Sequence, residues 1–402
     1  MYLNTPNTNS DVNENLLLVG PYPPPFGGVS SHLYELNKRF KDSHYNSHIL
    51  QFDSISEDIS KDGAKIFKRA SHFSPQHLVI LLKRFDRLMK IGVLLALNIF
   101  KSPRLYIGSL VKSLHVVEII DKCNVSRTVV YTTKIGGLIP FVKILRPDHD
   151  IFYCIYADPY KNPEFYKKHR SWYKRAVENS TKVFSSSCYC ADSYGNFTKN
   201  VSPSVIYVGV DLERFHQIDP IIARRKVLLK ERPTILFLGR MEPEMGAGNA
   251  LEIAKILFSK GIDVNFVIAG AQGSLTESII ESSLQFGGKL LVKSNVSKED
   301  LPYYYGASTI SIAPTLGLHA CMGVSIKEAM ASGRPIIASD SGGIPEAIRD
   351  GIDGYVLPLE SGEIDNDMFA SRIIELLASQ KNIVDFGANA RKRCEEIFSV
   401  DA

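Results

Sequence analysis

Short apolar runs alternate with helix-like segments along most of the chain. The first half contains the runs LLLVG (16–20), SHILQF (47–52), RLYIG (104–108), TVVYT (128–132), IFYCIY (151–156), KVFSSS (182–187) and SVIYVG (204–209). The second half contains PTILFLGR (233–240), DVNFVIAG (263–270), KLLVKS (289–294), TISIAP (309–314) and RPIIASD (334–340). Apolar strands separated by helical periodicity are typical of βαβ units around a parallel sheet. The pattern therefore predicts an α/β fold with two Rossmann-like, doubly wound domains.

The same pattern predicts where these domains begin and end. Residues 1–14 are polar and contain neither a positive n-region nor an apolar core, so we predict a disordered leader there. We predict that residues 15–209 and 210–385 form the two domains and that residues 386–402 form a helix near their junction. Ligands of doubly wound folds bind outside the carboxyl ends of the strands, so we expect the two domains to face each other across a ligand-binding cleft.

Composition narrows the class of protein. Hydrophobic residues make up 45% of the chain and charged residues 22%, as in ordinary globular proteins. The six cysteines include no Cys-x-x-Cys pair, which argues against a disulfide framework or a zinc site and favours a reducing compartment. The longest apolar run, at 91–100, is too short to cross a bilayer. These features predict a cytoplasmic protein, and the scattered histidines suggest no metal site.

Charge is distributed unevenly between the two halves. Residues 1–215 contain 28 Lys and Arg against 19 Asp and Glu, a net of +9, whereas residues 216–402 contain 19 against 24, a net of −5. We therefore expect the first half to meet an anionic partner. The chain contains no recognisable nucleic-acid-binding motif, so nucleic acid is not the expected partner.

Segment 76–104 is both apolar and basic. It has one acidic residue, Asp86, and six basic residues: Lys83, Arg84, Arg87, Lys90, Lys101 and Arg104. A basic amphipathic helix of this kind can lie on an anionic membrane surface, which gives the protein a peripheral membrane location. An ordinary helix packed on the sheet with a charged outer face explains the pattern equally well.

Three motifs follow predicted strands. Gly27 and Gly28 stand at the start of a helix, where backbone amides can approach a phosphate, although a tight turn also requires glycine. Arg240 comes just after the predicted strand PTILFL (233–238) and can bind a diphosphate with two hydrogen bonds, although a surface Arg is a common alternative.

The third motif is the most informative. Gly323 opens a predicted helix, so that the amides of Val324 and Ser325 can bind a phosphate. Glu328 lies one turn later, where a carboxylate suits a pair of ribose hydroxyls. Gly333 ends the helix, as glycine commonly does.

Together these motifs resemble a known family. FGGVSSHLYEL, IYVGVDLERF, FLGRMEPEMG and GVSIKEAMASGRPIIASDSGGIPEAI resemble, in order and approximate spacing, family 4 retaining glycosyltransferases of GT-B architecture. The resemblance implies a transferase of the hexosyltransferase type that takes a sugar from a nucleotide-sugar donor, and the expected donor is a UDP-sugar. It also implies that the enzyme needs no cofactor and no metal. It implies a glycan or lipid-linked acceptor bound mainly by the first domain, and a role in polysaccharide or glycoconjugate biosynthesis.

The resemblance also implies roles for particular residues. Glu328 corresponds to the carboxylate that binds the donor ribose, and Arg240 to the Arg that binds the diphosphate. The other donor-binding positions that it implies are Gly27, Gly28, Gly323, Val324 and Ser325.

Three positions depart from the family pattern. Met245 stands where the family has Lys, Ala320 where it has Glu, and Tyr156 where many members have His. Asp158 and His319 are candidates for substitute groups, and we include Asp158 among the catalytic candidates. The departures leave open a divergent active enzyme, a catalytically impaired pseudo-glycosyltransferase that acts as a binding or scaffold protein, and a chain altered on purpose. A nucleotide-sugar epimerase on the same fold is a further alternative.

Overall fold

The computed structural model describes residues 14–21, 28–40, 45–51, 59–61, 64–67, 73–96, 102–131, 133–156, 163–198, 202–317 and 321–400. The chain divides after Ile206 into two compact units, where the sequence pattern placed the division after residue 209. Each unit contains a largely parallel sheet with helices between its strands. This architecture confirms the predicted α/β class with two doubly wound units.

The first unit is built on an eight-stranded sheet in the order β3-β4-β2-β1-β5-β6-β7-β8. Its strands are β1 Glu14–Val19, β2 Tyr45–Leu50, β3 Ile59–Lys61, β4 Ala64–Phe67, β5 Arg127–Val130, β6 Asp150–Ile155, β7 Lys182–Ser185 and β8 Ser204–Val205. All described pairs are parallel except the β3–β4 hairpin. Its helices are α1 Gly28–Phe40, α2 Pro75–Lys83, α3 Leu88–Ala96, α4 Pro103–Cys123, α5 Ile139–Leu145, α6 Pro163–Glu178 and α7 Cys188–Thr198.

Helices cover both faces of this sheet. Along β1, Leu17 and Val19 join a large apolar cluster with α4 to α6, whereas Leu16 and Leu18 join a second cluster with Leu33 of α1. Successive residues of a strand point to opposite faces, so a strand buried on both faces is apolar at every position. The continuous run LLLV of β1 has this pattern.

The sequence prediction was wrong at several points in the first unit. The run at 104–108, predicted as a strand, lies inside α4, which begins at Pro103 and buries residues at helical spacing. Segment 76–104 is not one helix, because a 3-10 turn at Phe85–Arg87 separates α2 from α3. Residues 1–13 of the predicted leader lie outside the described residues, and Glu14 already belongs to β1.

The second unit has a six-stranded parallel sheet in the order β11-β10-β9-β12-β13-β14 and a small β15–β16 hairpin. Its strands are β9 Thr234–Leu238, β10 Asn265–Gly270, β11 Leu290–Ser294, β12 Ile310–Ala313, β13 Ile336–Ser339, β14 Gly354–Leu357, β15 Leu359–Glu360 and β16 Glu363–Ile364. Its helices are α8 Pro220–Lys226, α9 Ala247–Ser259, α10 Thr276–Ser283, α11 Leu301–Ala307, α12 Val324–Ala331, α13 Ile344–Ala347, α14 Asn366–Leu377 and α15 Gln380–Arg393. The sequence pattern had not indicated β14 or the hairpin.

The C-terminal segment returns to the start of the second unit. α15 begins at Gln380, six residues before the predicted helix, and continues into a π-helical turn, Cys394–Phe398. Val210 then donates its amide to the Phe398 carbonyl at 2.7 Å, and Ser399 forms a parallel bridge with Val210. Among the described residues, no helix is long and apolar enough to span a membrane.

Candidate functional site

The strand order of the second unit defines where a ligand can bind. β9 lies between β10 and β12. The chain continues from β9 to its neighbour β10 and then to β11, and it later returns as β12, which pairs with the other edge of β9. In open α/β sheets, ligands bind outside the carboxyl ends of the strands at this reversal. The loops that follow β9 and β12 therefore frame the candidate site.

These two loops contact each other directly. The Leu316 amide donates to the Glu244 carbonyl at 3.1 Å. Gly246 has a φ of +78°, and a Cβ atom there would lie 1.6 Å from the Pro314 carbonyl oxygen. Only glycine permits this approach, because any side chain at this position would collide with backbone.

Arg240 is exposed on the loop after β9. The next residue, Met241, is fully buried, and its amide donates to the Ala271 carbonyl at 3.0 Å. Hydrogen bonds from Ser274 lower the pKa of the nearby Glu242 carboxyl, and the positive charge of Arg240 lowers it further. The structure thus places Arg240 at the carboxyl end of β9, with its neighbour anchored in the core.

Met245 ends a 3-10 turn, Pro243–Met245, in the same loop. Its side chain is partly buried and packs on the apolar cluster that contains Ala247 and Leu251. The position that the family resemblance assigned to a lysine therefore holds an apolar side chain packed against the core.

The N-terminus of α12 lies in the loop region after β12. Its cap is Gly323, with a φ of +72°, and no acidic residue occurs in its first turn. Because glycine has no side chain, the cap cannot cover the first amides of the helix, which belong to Val324 and Ser325. The positive end of the helix dipole makes these amides suitable for binding an anion.

Glu328 lies one turn along α12 and is half-buried. The Tyr305 hydroxyl donates to its Oε2 atom at 2.8 Å, which positions the carboxyl group. Burial raises the pKa of Glu328, and this rise is opposed by the Tyr305 hydrogen bond and then by the nearby charges of Arg214, Lys327 and Lys298. The site therefore combines a carboxyl group with a hydroxyl donor and surrounding cations.

Two of these cations are connected to each other. The Arg214 guanidinium donates to the Lys298 carbonyl, and the Arg214 side chain lies 4.9 Å from the centre of the Phe215 ring. Phe215 in turn contacts the Tyr305 ring edge-on at a centroid distance of 5.8 Å. Arg214 therefore belongs to the same packed group as the tyrosine that binds Glu328.

Lys327 precedes Glu328 on α12 and is buried. Its Nζ atom donates to the Val208 carbonyl and lies 5.7 Å from the centre of the Phe398 ring. Burial lowers the pKa of Lys327 to about 8. This lysine connects α12 to the first residues of the second unit.

Sequence reasoning identified Arg240 and the α12 residues but missed Tyr305, Lys298 and Arg214. Arg214 lies inside the quoted run IYVGVDLERF, whereas Tyr305 and Lys298 lie outside every motif. Their contribution depends on α11 and the loop before it meeting α12 in space, and no local sequence signal reports that contact.

Several predicted site residues lie outside the described residues. These are Gly27, Asp158, His319 and Ala320, while Gly28 begins α1. Tyr156 directly follows β6, and its hydroxyl lies 3.3 Å from His32 Nδ1. The Tyr131 hydroxyl lies 2.8 Å from the same nitrogen, and the two tyrosine rings stack at 5.0 Å. Tyr156 therefore belongs to an aromatic and imidazole group at the carboxyl ends of β5 and β6.

Comparison with known proteins identifies related sequences. The profile of the family "Glycosyl transferases group 1" matches residues 220–393. Alpha-maltose-1-phosphate synthase of Mycolicibacterium smegmatis is 26% identical over 249 residues, which cover 57% of this chain and 62% of that protein. D-inositol 3-phosphate glycosyltransferase of a Mycobacterium species is 30% identical over 168 residues, which cover 39% and 37%. The chain thus spans less than two thirds of the length of these curated relatives.

Solved structures share the fold across almost the whole chain. Sucrose-phosphate synthase from Thermosynechococcus elongatus superposes with a TM-score of 0.76 at 15% identity and covers 96% of both chains. Anabaena HepE in complex with UDP-glucose superposes with a TM-score of 0.69 at 14% identity and also covers 96% of both. These similarities show that the fold is of the GT-B class.

Proposed function

We propose that the protein is a retaining glycosyltransferase that uses a nucleotide-sugar donor, because residues 220–393 match the profile of the glycosyl transferases group 1 family. One observation carries the proposal: Glu328, held by Tyr305, lies one turn after the glycine-capped N-terminus of α12, at the point where the sheet order reverses. A solved relative of this fold contains UDP-glucose, which supports a UDP-sugar as the donor.

Each group in the site has a separate task in this proposal. The Glu328 carboxylate accepts hydrogen bonds from the ribose hydroxyls, and Tyr305 fixes the orientation of that carboxylate. The amides of Val324 and Ser325 bind a donor phosphate at the positive end of α12. Arg240 stabilises the negative charge that develops on the leaving diphosphate as the sugar is transferred.

The acceptor is the less defined partner. We propose a glycan or a lipid-linked saccharide bound by the basic first unit, and a role in polysaccharide or glycoconjugate biosynthesis. The curated relatives support only a general glycosyl acceptor, because they act on different ones. A lipopolysaccharide 1,2-N-acetylglucosaminetransferase of Salmonella typhimurium, for example, is 24% identical over 211 residues.

Activity is tested with the full chain and a panel of UDP-, GDP- and ADP-glucose. We expect release of nucleoside diphosphate from one donor, and a loss of about 100-fold or more in Glu328→Gln, because that change removes a charged partner of the ribose. The matched control is Glu375→Gln, since Glu375 also accepts from a tyrosine, Tyr355, but on α14. Equal activity in both variants contradicts the proposed role of Glu328.

One observation favours a second candidate function. Met245 is packed into the apolar cluster where the family has a cation, so the chain has one cation fewer beside the diphosphate. Binding of a nucleoside diphosphate without turnover of any donor, with or without acceptor, identifies a scaffold protein instead. Release of an epimerised donor in the absence of acceptor identifies an epimerase.

We also propose that the first unit binds an anionic membrane surface, at the cytoplasmic face. Large apolar side chains on the α2–α3 segment are exposed, and we call them the apolar stripe: Leu78, Val79, Leu82, Phe85, Met89 and Val93. Phe85 and Met89 are 72% and 80% exposed. Lys83 and Lys90 lie between members of the apolar stripe and are also exposed. Apolar side chains flanked by lysines suit an interface of anionic headgroups and acyl chains.

Vesicle sedimentation tests this location. We expect the full chain to pellet with vesicles that contain 30% phosphatidylglycerol (about one lipid in three) and to remain in solution with phosphatidylcholine alone. Phe85→Asp combined with Met89→Asp should abolish pelleting. The matched control is Leu284→Asp, which changes a side chain that is 78% exposed in the second unit. Pelleting of the double variant at the level of the control contradicts the proposal.

A further inference from the structure

Three potential metal ligands meet where α2 packs on α4. His77 lies in the first turn of α2, and His115 and Glu118 lie one turn apart on α4. Their ligand atoms all lie within 4.8 Å of one another. Sequence spacing does not predict this group, because the first member is 38 residues from the second (115 − 77). Folding alone brings it together.

The distances suit a small tetrahedral cation. Glu118 Oε2 lies 3.6 Å from His77 Nε2 and 3.3 Å from His115 Nδ1. Zinc binds nitrogen and oxygen at about 2.0–2.2 Å, so two ligands of one tetrahedral zinc lie about 3.3–3.6 Å apart. One carboxylate oxygen is therefore at nearly the right separation from both imidazoles.

The burial of His77 is a second, independent observation. The side chain is 1% exposed, and its Nε2 atom has no hydrogen-bond partner among the described residues. A buried polar atom without a partner is unusual and calls for an explanation. Nε2 lies 3.6 Å from Glu118 Oε2, just beyond hydrogen-bonding distance and close to the separation of two ligands of one cation.

Binding of a metal ion at Nε2 changes the hydrogen bond of the other ring nitrogen of His77, Nδ1. Nδ1 accepts from the Ser74 amide at 3.2 Å, which places the ring proton on Nε2 in the metal-free protein. A cation on Nε2 requires that proton to move to Nδ1, so the contact with the Ser74 amide is given up. The Ser74 hydroxyl still accepts from the His77 amide, and the helix cap is retained.

We propose that His77, His115 and Glu118 form a binding site for Zn²⁺ that fastens α2 to α4. Two neutral imidazoles and a carboxylate are the ligand types that zinc prefers, and a fourth position remains for water. Glu118 is 31% exposed, which gives a cation access from solvent. The site uses no residue of the donor site, so it is independent of the proposed glycosyltransferase function.

Titration calorimetry of the full chain with ZnCl₂ tests the proposal. We expect one Zn²⁺ per chain. The affinity for Zn²⁺ should be about 100-fold weaker or more in His115→Ala and in Glu118→Gln, because removal of a direct ligand should cost more affinity than removal of a residue that only contacts a ligand. The control is His216→Ala, which removes an exposed histidine of the second unit and should leave affinity unchanged. Absence of binding, or equal binding in all variants, overturns the proposal.

Two further measurements exclude failures of folding. At 100 times the wild-type dissociation constant, Zn²⁺ should raise the thermal midpoint of the first unit in the full wild-type chain by about 5–10 °C, and that in Glu118→Gln by no more than about 1–2 °C. Co²⁺ in place of Zn²⁺ should give the intense visible absorption of a tetrahedral site in the wild type and the control. A weak octahedral spectrum in the wild type overturns the assigned geometry.

Discussion

The substitution Tyr305→Phe tests the hydrogen bond that orients the Glu328 carboxylate while leaving Glu328 itself in place. The hydroxyl donates to Glu328 Oε2 at 2.8 Å, while the ring is fully buried and packs on Phe215. Phe keeps the ring and removes only the donor. A hydrogen bond to a charged group contributes about 1.5–3 kcal/mol, and one pKa unit corresponds to about 1.4 kcal/mol. The variant should therefore raise the pKa of Glu328 above its already elevated wild-type value, because the ionised carboxylate loses this donor.

The consequence is a change in how donor affinity depends on pH. Only the ionised carboxylate accepts from both ribose hydroxyls, so affinity falls as the pH decreases through the pKa of Glu328. Because burial raises that pKa, the fall begins at a higher pH than for an ordinary glutamate. We expect the acid limb for UDP binding, measured by calorimetry across a series of pH values, to move to higher pH in Tyr305→Phe.

A matched variant makes the result interpretable. Tyr355→Phe removes a hydroxyl that donates to Glu375 at 3.3 Å elsewhere in the same unit, and it should leave the curve unchanged. The ionisation of UDP itself is common to all three proteins and cancels in the comparison. Coincident curves for wild type and Tyr305→Phe refute the role of Glu328 as the titrating ribose ligand.

Three other substitutions test separate parts of the account. Arg240→Ala should weaken UDP binding about tenfold to a hundredfold and uridine binding much less, because a charge-assisted hydrogen bond to phosphate is lost. Calorimetry measures both affinities, and equal losses for the two ligands argue against a contact between Arg240 and the diphosphate. Met245→Lys should increase the preference for UDP over UMP, because it adds a cation near the proposed diphosphate site. It should also lower the thermal midpoint, because an ammonium group replaces an apolar side chain packed on the core. An unchanged preference for UDP over UMP contradicts the prediction. Lys327 has a pKa lowered to about 8 from an unfolded value of 10.5, so the unfolded chain binds more protons in that interval. The free energy of unfolding of the wild type relative to Lys327→Met should therefore rise from pH 8 to 10.5, by up to about 1.4 kcal/mol per pH unit. Urea unfolding at several pH values measures this difference. A difference that does not change with pH contradicts the burial of the Lys327 charge.

Much of the fold is predictable from the sequence because its strands are buried on both faces. β1 and β10 contain the continuous apolar runs LLLV and FVIA, and helical periodicity flanks both strands. Short or partly polar strands such as β3 and β16 lack that signal, since they contain few residues and pair at sheet edges or in hairpins. The error at 104–108 arose because a short, mainly apolar run was considered apart from the longer helical pattern of α4.

The site was predictable only where its residues follow one another in the chain. Gly323 and Glu328 belong to a single loop and helix, and Arg240 directly follows a strand. Tyr305 reaches Glu328 from a different helix, 23 residues earlier, so its role depends on tertiary packing. In the proposed zinc site, helix packing likewise brings His77 of α2 to His115 and Glu118, which are one turn apart on α4.

The central claim is that the second unit binds a nucleotide by its ribose and diphosphate. A crystal structure of the full chain with UDP tests it most directly. We expect the ribose hydroxyls within about 3.2 Å of the Glu328 carboxylate, and a phosphate oxygen within the same distance of the Val324 or Ser325 amide. UDP bound elsewhere, or with its ribose turned away from Glu328, contradicts the account.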